Sequence, residues 1–162
     1  MKKVIAMLLA AIAASTAGLL PFQSTDVAKL LPVQTVLAIR VGDGVLLSGD
    51  EGLRGAGESC GAALDDLKRT AAGEVYLQTA ERVVSNDRSL LEELARADVF
   101  RPAAAIYLTT ESDADAAQLG DYLRARDGKM TVGRLRAALL RGEHARIPYV
   151  ERTQTGWVIE NA

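Results

Sequence analysis

The chain has 162 residues, a net charge of −2 that turns more acidic once Lys2 and Lys3 are set aside, and only 4% aromatic residues. A mildly acidic chain with scattered arginines excludes nucleic acid as a partner, because phosphate binding needs a basic stripe. So few rings argue against stacking platforms or carbohydrate clefts. The one cysteine, Cys60, cannot close an internal disulfide, so stability rests on packing.

Lys2 and Lys3 precede an apolar run over residues 4–22, broken only by Ser15, Thr16 and Gly18. Cations ahead of an apolar core make an export signal, since the cations stay cytoplasmic while the apolar part enters the translocon. Ala11 and Ala13, or Ser15 and Ala17, offer A-x-A-like cleavage sites. The run is also long enough to span a bilayer as a retained helix, with Pro21 at its outer end. Segment 1–22 is therefore expected to be a signal peptide or an N-terminal membrane anchor. Residues 23–31 are expected to form a connector, and 32–162 a single domain. The domain would lie on the outer side of the cytoplasmic membrane or be secreted.

Past the connector, Val33, Thr35, Leu37, Ile39 and Val41 alternate with Gln34, Val36, Ala38 and Arg40, a period of two that predicts a strand. Gly42-Asp43-Gly44 is a tight turn into a hairpin partner over 45–48. Residues 49–57 predict a glycine-rich loop with positive φ at several glycines. Ser59 can cap a helix carrying Ala63, Leu64, Leu67 and Ala71, stopped by Gly73. A short strand follows over 74–77. Ser85, Asn86 or Asp87 caps a second helix with Leu90, Leu91, Leu94 and Ala95 inward. The continuous apolar run 103–108 suits a central strand covered on both faces. Ser112 is the expected cap of a third helix with Ala116, Leu119 and Leu123 inward, ended by Asp127-Gly128. Thr131 caps a fourth, with Val132, Leu135 and Leu139 on one face and Gly142 after its end. Residues 147–152 and 157–160 make a closing hairpin around Thr155-Gly156. The implied fold class is α/β (α+β): a mixed β-sheet with hairpins at both ends and about four helices packed against it, in one domain.

No set of residues reads as catalytic, so the chain is expected to be non-enzymatic and to hold no cofactor or metal. Gly55-Ala56-Gly57 ahead of Gly61 and a helix is a weak match to a dinucleotide fingerprint, and Glu58 places a negative charge where a pyrophosphate would sit. The carboxylates Asp43, Asp50 and Glu51, and then Glu111, Asp113 and Asp115, lack the glycine and distal glutamate of a calcium loop. His144 is the only histidine, flanked by Arg141, Glu143 and Arg146 as a solvated loop residue would be, and no serine has the G-x-S-x-G setting. Arg124, Arg126, Arg134, Arg136 and Arg141 are able to form a basic face for a partner or a lipid headgroup. The segment carrying Gly49, Asp50, Gly52, Arg54, Gly55 and Gly57 is the candidate ligand or partner loop.

The order of elements from about residue 31 to 157 resembles the N-terminal domain of the Ger(x)C family, the C-type subunit of bacterial spore germinant receptors. The resemblance is carried by Gly57-Glu58-Ser59 before Ala62-Ala63-Leu64, and by the strand over 74–77. It continues in helix 89–94, whose Val99-Phe100-Arg101-Pro102 link leads into the apolar strand 103–108, and in helix 131–140 before Ile147-Pro148. It implies a mixed α/β domain displayed outside the membrane that works by contacting a membrane or envelope protein. Members of that family carry an early acylated cysteine and further domains, whereas the single cysteine here is Cys60. Residues 4–22 are then the segment able to hold the domain at the membrane. The other reading of the whole chain is an exported small-molecule-binding module that uses the 49–57 loop.

Overall fold

The computed structural model describes residues 30–126 and 128–160. The expected leader 1–22, most of the connector, and Asp127 of the expected helix stop lie outside the described residues. Seven strands form one mixed sheet. In chain order they are β2 (Thr35–Val41), β3 (Gly44–Gly49), β4 (Arg54–Gly57), β6 (Arg82–Ser85), β7 (Ala105–Leu108), β8 (Tyr149–Thr153) and β9 (Gly156–Glu160). The spatial order is β4-β3-β2-β6-β7-β8-β9. The four central strands β2, β6, β7 and β8 run parallel, and antiparallel pairings close both ends. A mixed sheet with a hairpin at each end and four helices is thus the fold.

The helices are α1 (Cys60–Thr70), α2 (Arg88–Arg96), α3 (Ala116–Arg124) and α4 (Val132–Leu140). Parallel neighbours need crossovers, and crossovers are right-handed. From β2 to β6, β7 and β8 every step goes the same way across the sheet. That places α1, α2 and α4 together on one face, over Val36, Ala38, Val83, Ile106 and Leu108. The other face carries α3, whose Ala116, Leu119 and Leu123 pack on Leu37, Ile39, Val84, Tyr107 and Val150. Each fully buried leucine contributes about 1.5–3 kcal/mol, and α2 alone buries Leu90, Leu91 and Leu94.

The helix caps follow local chemistry. Ser59 accepts from Ala62 N (3.2 Å), Asp87 from Ser89 N (2.8 Å) and Thr131 from Arg134 N (3.3 Å). The third helix is capped by Asp115, not Ser112, because Asp115 lies directly before the first helical residue and reaches Ala117 N at 3.0 Å. Residues 35–39 are all buried, because α2 and α3 lie against opposite sides of β2. The 74–77 strand is β5 (Glu74–Tyr76), and it pairs not with the main sheet but with β1 (Leu30–Pro32), inside the expected connector. Strand β6 was not anticipated: four residues with Arg82 and Ser85 at their ends show no period, yet they sit buried at the sheet's centre.

The segment 49–57 is also not one loop. After β3 it makes a single 3-10 turn, Asp50–Gly52, and returns as β4 antiparallel to β3. Of its four glycines, Gly52 alone has positive φ (+76°). Gly55 and Gly57 serve close approach instead: a Cβ on Gly55 would meet Ala63 O and Leu67 N of α1 at 2.4 Å, and one on Gly57 would meet Ala63 N at 2.6 Å. Gly55→Ala is therefore expected to cost about 1–3 kcal/mol by overpacking. Ala72→Gly, on exposed chain, should cost well under that; urea denaturation of both variants checks the difference.

Candidate functional site

In an open parallel sheet, ligands sit at the carboxyl ends of strands where the chain's direction across the sheet switches. Here that place is β2 and β6, because the chain leaves β2 toward β3 and comes back on its other side as β6. Sequence reasoning did not single it out, since it is assembled from residues 40 and 85–87. The rim is filled by side chains that satisfy one another. Asn86 accepts from Arg40 N (2.7 Å) and donates to Arg40 O (3.1 Å), which extends the β2–β6 ladder by one rung. Arg40 Nε pairs with the Asp87 carboxylate, which also caps α2 and accepts from Ser89 Oγ at 2.7 Å. Ser85 Oγ accepts from Asp87 N at 3.1 Å. Burial pushes the Asp87 carboxyl up, but the hydrogen bonds from Ser89 and Arg40 outweigh it and hold the group below the usual carboxylate range.

Cys60 opens α1 and is buried. Burial, helped by the Glu93 carboxylate, pushes its thiol up to about 11 against the pull of Arg40. It is a packing residue that carries no thiolate near neutral pH.

Of the candidate loop residues, Gly49, Asp50, Gly52 and Arg54 lie at the opposite end of the sheet, Gly55 is midway, and Gly57 is in register with Val45 and, through it, with Arg40. Gly52 and Arg54, with Leu31, Leu53, Thr70, Ala71 and Ala72, line a cavity of about 500 Å³ between the 3-10 turn, β1 and the end of α1. Two of these lining residues are joined, since Thr70 Oγ donates to Arg54 O (3.0 Å). Gly49, Asp50, Gly55 and Gly57 are not among the residues lining this cavity. Asp50 accepts from the backbone N–H of Gln34 (3.0 Å) and Thr35 (3.4 Å), so its carboxylate anchors the start of β2. On β4, Ala56 N donates to Asp66 (2.9 Å), and with the Arg69 pair this lowers the Asp66 carboxyl.

The remaining candidates are dispersed. His144 is exposed on the link between α4 and β8. Asp115 is engaged as the α3 cap, and no cluster of three or more metal-ligating side chains occurs among the described residues. The side chain of Glu51 lies outside the described set. The five arginines of the expected basic face do not share one, because α3 and α4 lie on opposite sides of the sheet. Arg124 pairs with Asp121 (3.0 Å), Arg136 with Asp98 (2.8 Å), and Arg141 with Glu143 (2.7 Å); Arg126 stacks on Tyr122, and Arg134 donates to Lys129 O. Several arginines instead tie segments distant in sequence: Arg88 donates to Ala145 O (2.7 Å) and Arg101 to Ala80 O (3.0 Å) in connections, and Arg136 to Ala95 O (2.8 Å) in the last turn of α2.

The Asp87 rim gives a pH test. A carboxyl held below its ordinary value adds stability above the unfolded pKa, about 3.9, and loses it as pH falls through the folded one. Asp87→Asn keeps a capping side chain but removes the charge, so wild type should be more stable by about 0.5–1 kcal/mol at pH 7. The gap should close below about pH 4. Asp87→Ala, which also loses the cap, should cost about 1–2 kcal/mol at pH 7. Denaturant unfolding across pH 3–7 measures all three.

Comparison of the chain with protein-family models, with curated proteins and with solved structures finds no match.

Proposed function

We propose that this chain is an exported, non-enzymatic protein-interaction domain at the outer side of the cytoplasmic membrane, similar in role to the first domain of a germinant-receptor C subunit. The address rests on Lys2, Lys3 and the apolar run 4–22. The working mode rests on one observation: at the switch point of the sheet the polar groups engage one another, while apolar surface is left open on the terminal hairpin. Tyr149 and Val158 are 36% and 39% exposed there, diagonal neighbours on one face of β8–β9. The segments that carry the family resemblance tie the parallel strands together. Pro102 O accepts from Gly133 N (2.9 Å), Leu108 N donates to Pro148 O (2.9 Å), and Arg101 lies 3.7 Å from Glu81 at the entry to β6. Pull-down of the full chain from membranes of its native host is expected to recover an envelope protein reproducibly. Recovery of the chain with no membrane or envelope partner would sink the reading. Intact mass of the exported protein should show either residues 1–22 retained or about the first fifteen lost.

The cavity beside Gly52 and Arg54 favours a second reading, a small-molecule-binding module. A ligand at about 100 times its dissociation constant adds about 2.7 kcal/mol to stability, a shift of several degrees in Tm. A thermal-shift screen should find such a ligand, and Ala72→Trp, which fills the cavity mouth, should abolish its shift. A broad library without a hit leaves the interaction domain as the reading.

A further inference from the structure

The two edges of the sheet are treated differently. At one edge β4 holds Arg54, Gly55 and Gly57 and lies against the backbone of α1. At the other, among the described residues, β9 has one strand neighbour, β8. Its centre is Trp157-Val158-Ile159, with no charge, proline or bulge to blunt it, the devices by which exposed edges are usually kept from pairing.

The register of this edge suits one occupant. The two-residue turn of Gln154 and Thr155 makes Thr153 and Gly156 a hydrogen-bonded pair. Alternation from there leaves the N–H and C=O of Trp157 and Ile159 pointing away from β8. An antiparallel copy of β9 centred on Val158 sets Trp157 opposite Ile159 twice, with all four of those backbone groups bonded on each strand. Val158 then faces Val158, and the one charged residue of the strand, Glu160, faces Gly156. The two Glu160 residues would be about 14 Å apart, as would the two Glu151 residues three strand spacings from each other. That is beyond the screening length at physiological salt, so nothing repels. Side chains agree: Trp157 and Ile159 lie on the α3 face, half-buried at the margin of the apolar layer that runs through Tyr107 and Val150. A second copy carries that layer onward, with an aromatic residue against a β-branched one at each crossing.

We infer that β9 is a self-pairing edge that joins two copies of this chain into one continuous sheet about Val158. This gives the β9 edge a second copy of the chain as its partner and rests on reading the hairpin as a contact site. The two fail separately, since a strictly monomeric chain overturns self-pairing and leaves the pull-down from membranes standing. A non-hydrogen-bonded antiparallel pair brings its Cα atoms to about 4.5 Å, within disulfide reach.

The test uses the full chain in a non-ionic detergent. Val158→Cys is expected to give a covalent dimer under mild oxidation at least ten times faster than Val41→Cys, an exposed control on the β2–β3 hairpin. Buried Cys60 stays silent in both. Val158→Lys and Val158→Glu should each weaken self-association at least tenfold, measured by sedimentation, and their equimolar mixture should restore it. Circular dichroism melts confirm that both variants fold; should either not, the cysteine pair decides alone. Three outcomes would each overturn the proposal: equal oxidation rates for the two cysteine variants, a mixture no better than its components, or cross-linking of the Val158→Cys variant to a different protein in place of its own copy.

Discussion

Everything in this fold follows from the handedness of its parallel connections. Four strands are laid down in one direction, and a right-handed crossover has only one face on which to return. Helices α1, α2 and α4 therefore crowd together, and their interdigitated leucines form the larger core. That arrangement would leave the opposite face bare. The long β7–β8 connection corrects this by sending α3 across before α4, which buries Leu37, Ile39, Val84 and Tyr107 beneath it. Strand β6 and most of β2 and β7 are consequently dry on both faces, whereas β8 buries only Val150, and the sheet ends at its flanks in hairpins that need no crossover at all.

Such a design concentrates unsatisfied backbone groups in its connections, because carbonyls outside helices and ladders still require donors when shielded from water. Arginine supplies them. Arg88 and Arg101 each reach a connection carbonyl far away in sequence, Arg136 reaches a carbonyl in the last turn of α2, and all three also pair with a carboxylate. Of the five arginines that look like a basic surface in a linear reading, Arg136 is thus part of the scaffold. The same economy closes the sheet's carboxyl rim, where Asn86 mimics a strand residue and Asp87 serves Arg40 and the α2 N-terminus together. Apolar surface stays open on the terminal hairpin at Tyr149 and Val158, and elsewhere at Val41, Tyr76 and Leu140.

Much of this was legible in the chain. Ser59 and Thr131 are the caps that the sequence suggests, Asp87 is one of three residues it offers for α2, and the inward leucines of all four helices follow their spacing. The apolar run before Leu108 marks a central strand, and the final hairpin falls where its turn residues place it. The candidate loop was legible only as glycine-rich. Gly55 and Gly57 are glycines because the backbone of α1 presses on them, and a helix that approaches from elsewhere leaves no mark in the local pattern.

What the sequence determined by itself, then, is what depends on neighbours within a turn or two of chain: helix starts, apolar helix faces, tight turns and the α/β class they add up to. Only the tertiary structure decided that Arg82–Ser85 is a central strand, that β5 leaves the main sheet for β1, and that residues 40 and 87 meet at one rim. The physical reason is that strand pairing and burial are properties of partners distant in sequence. A four-residue strand with polar ends carries too little periodicity to announce itself until β2 and β7 are there to receive it.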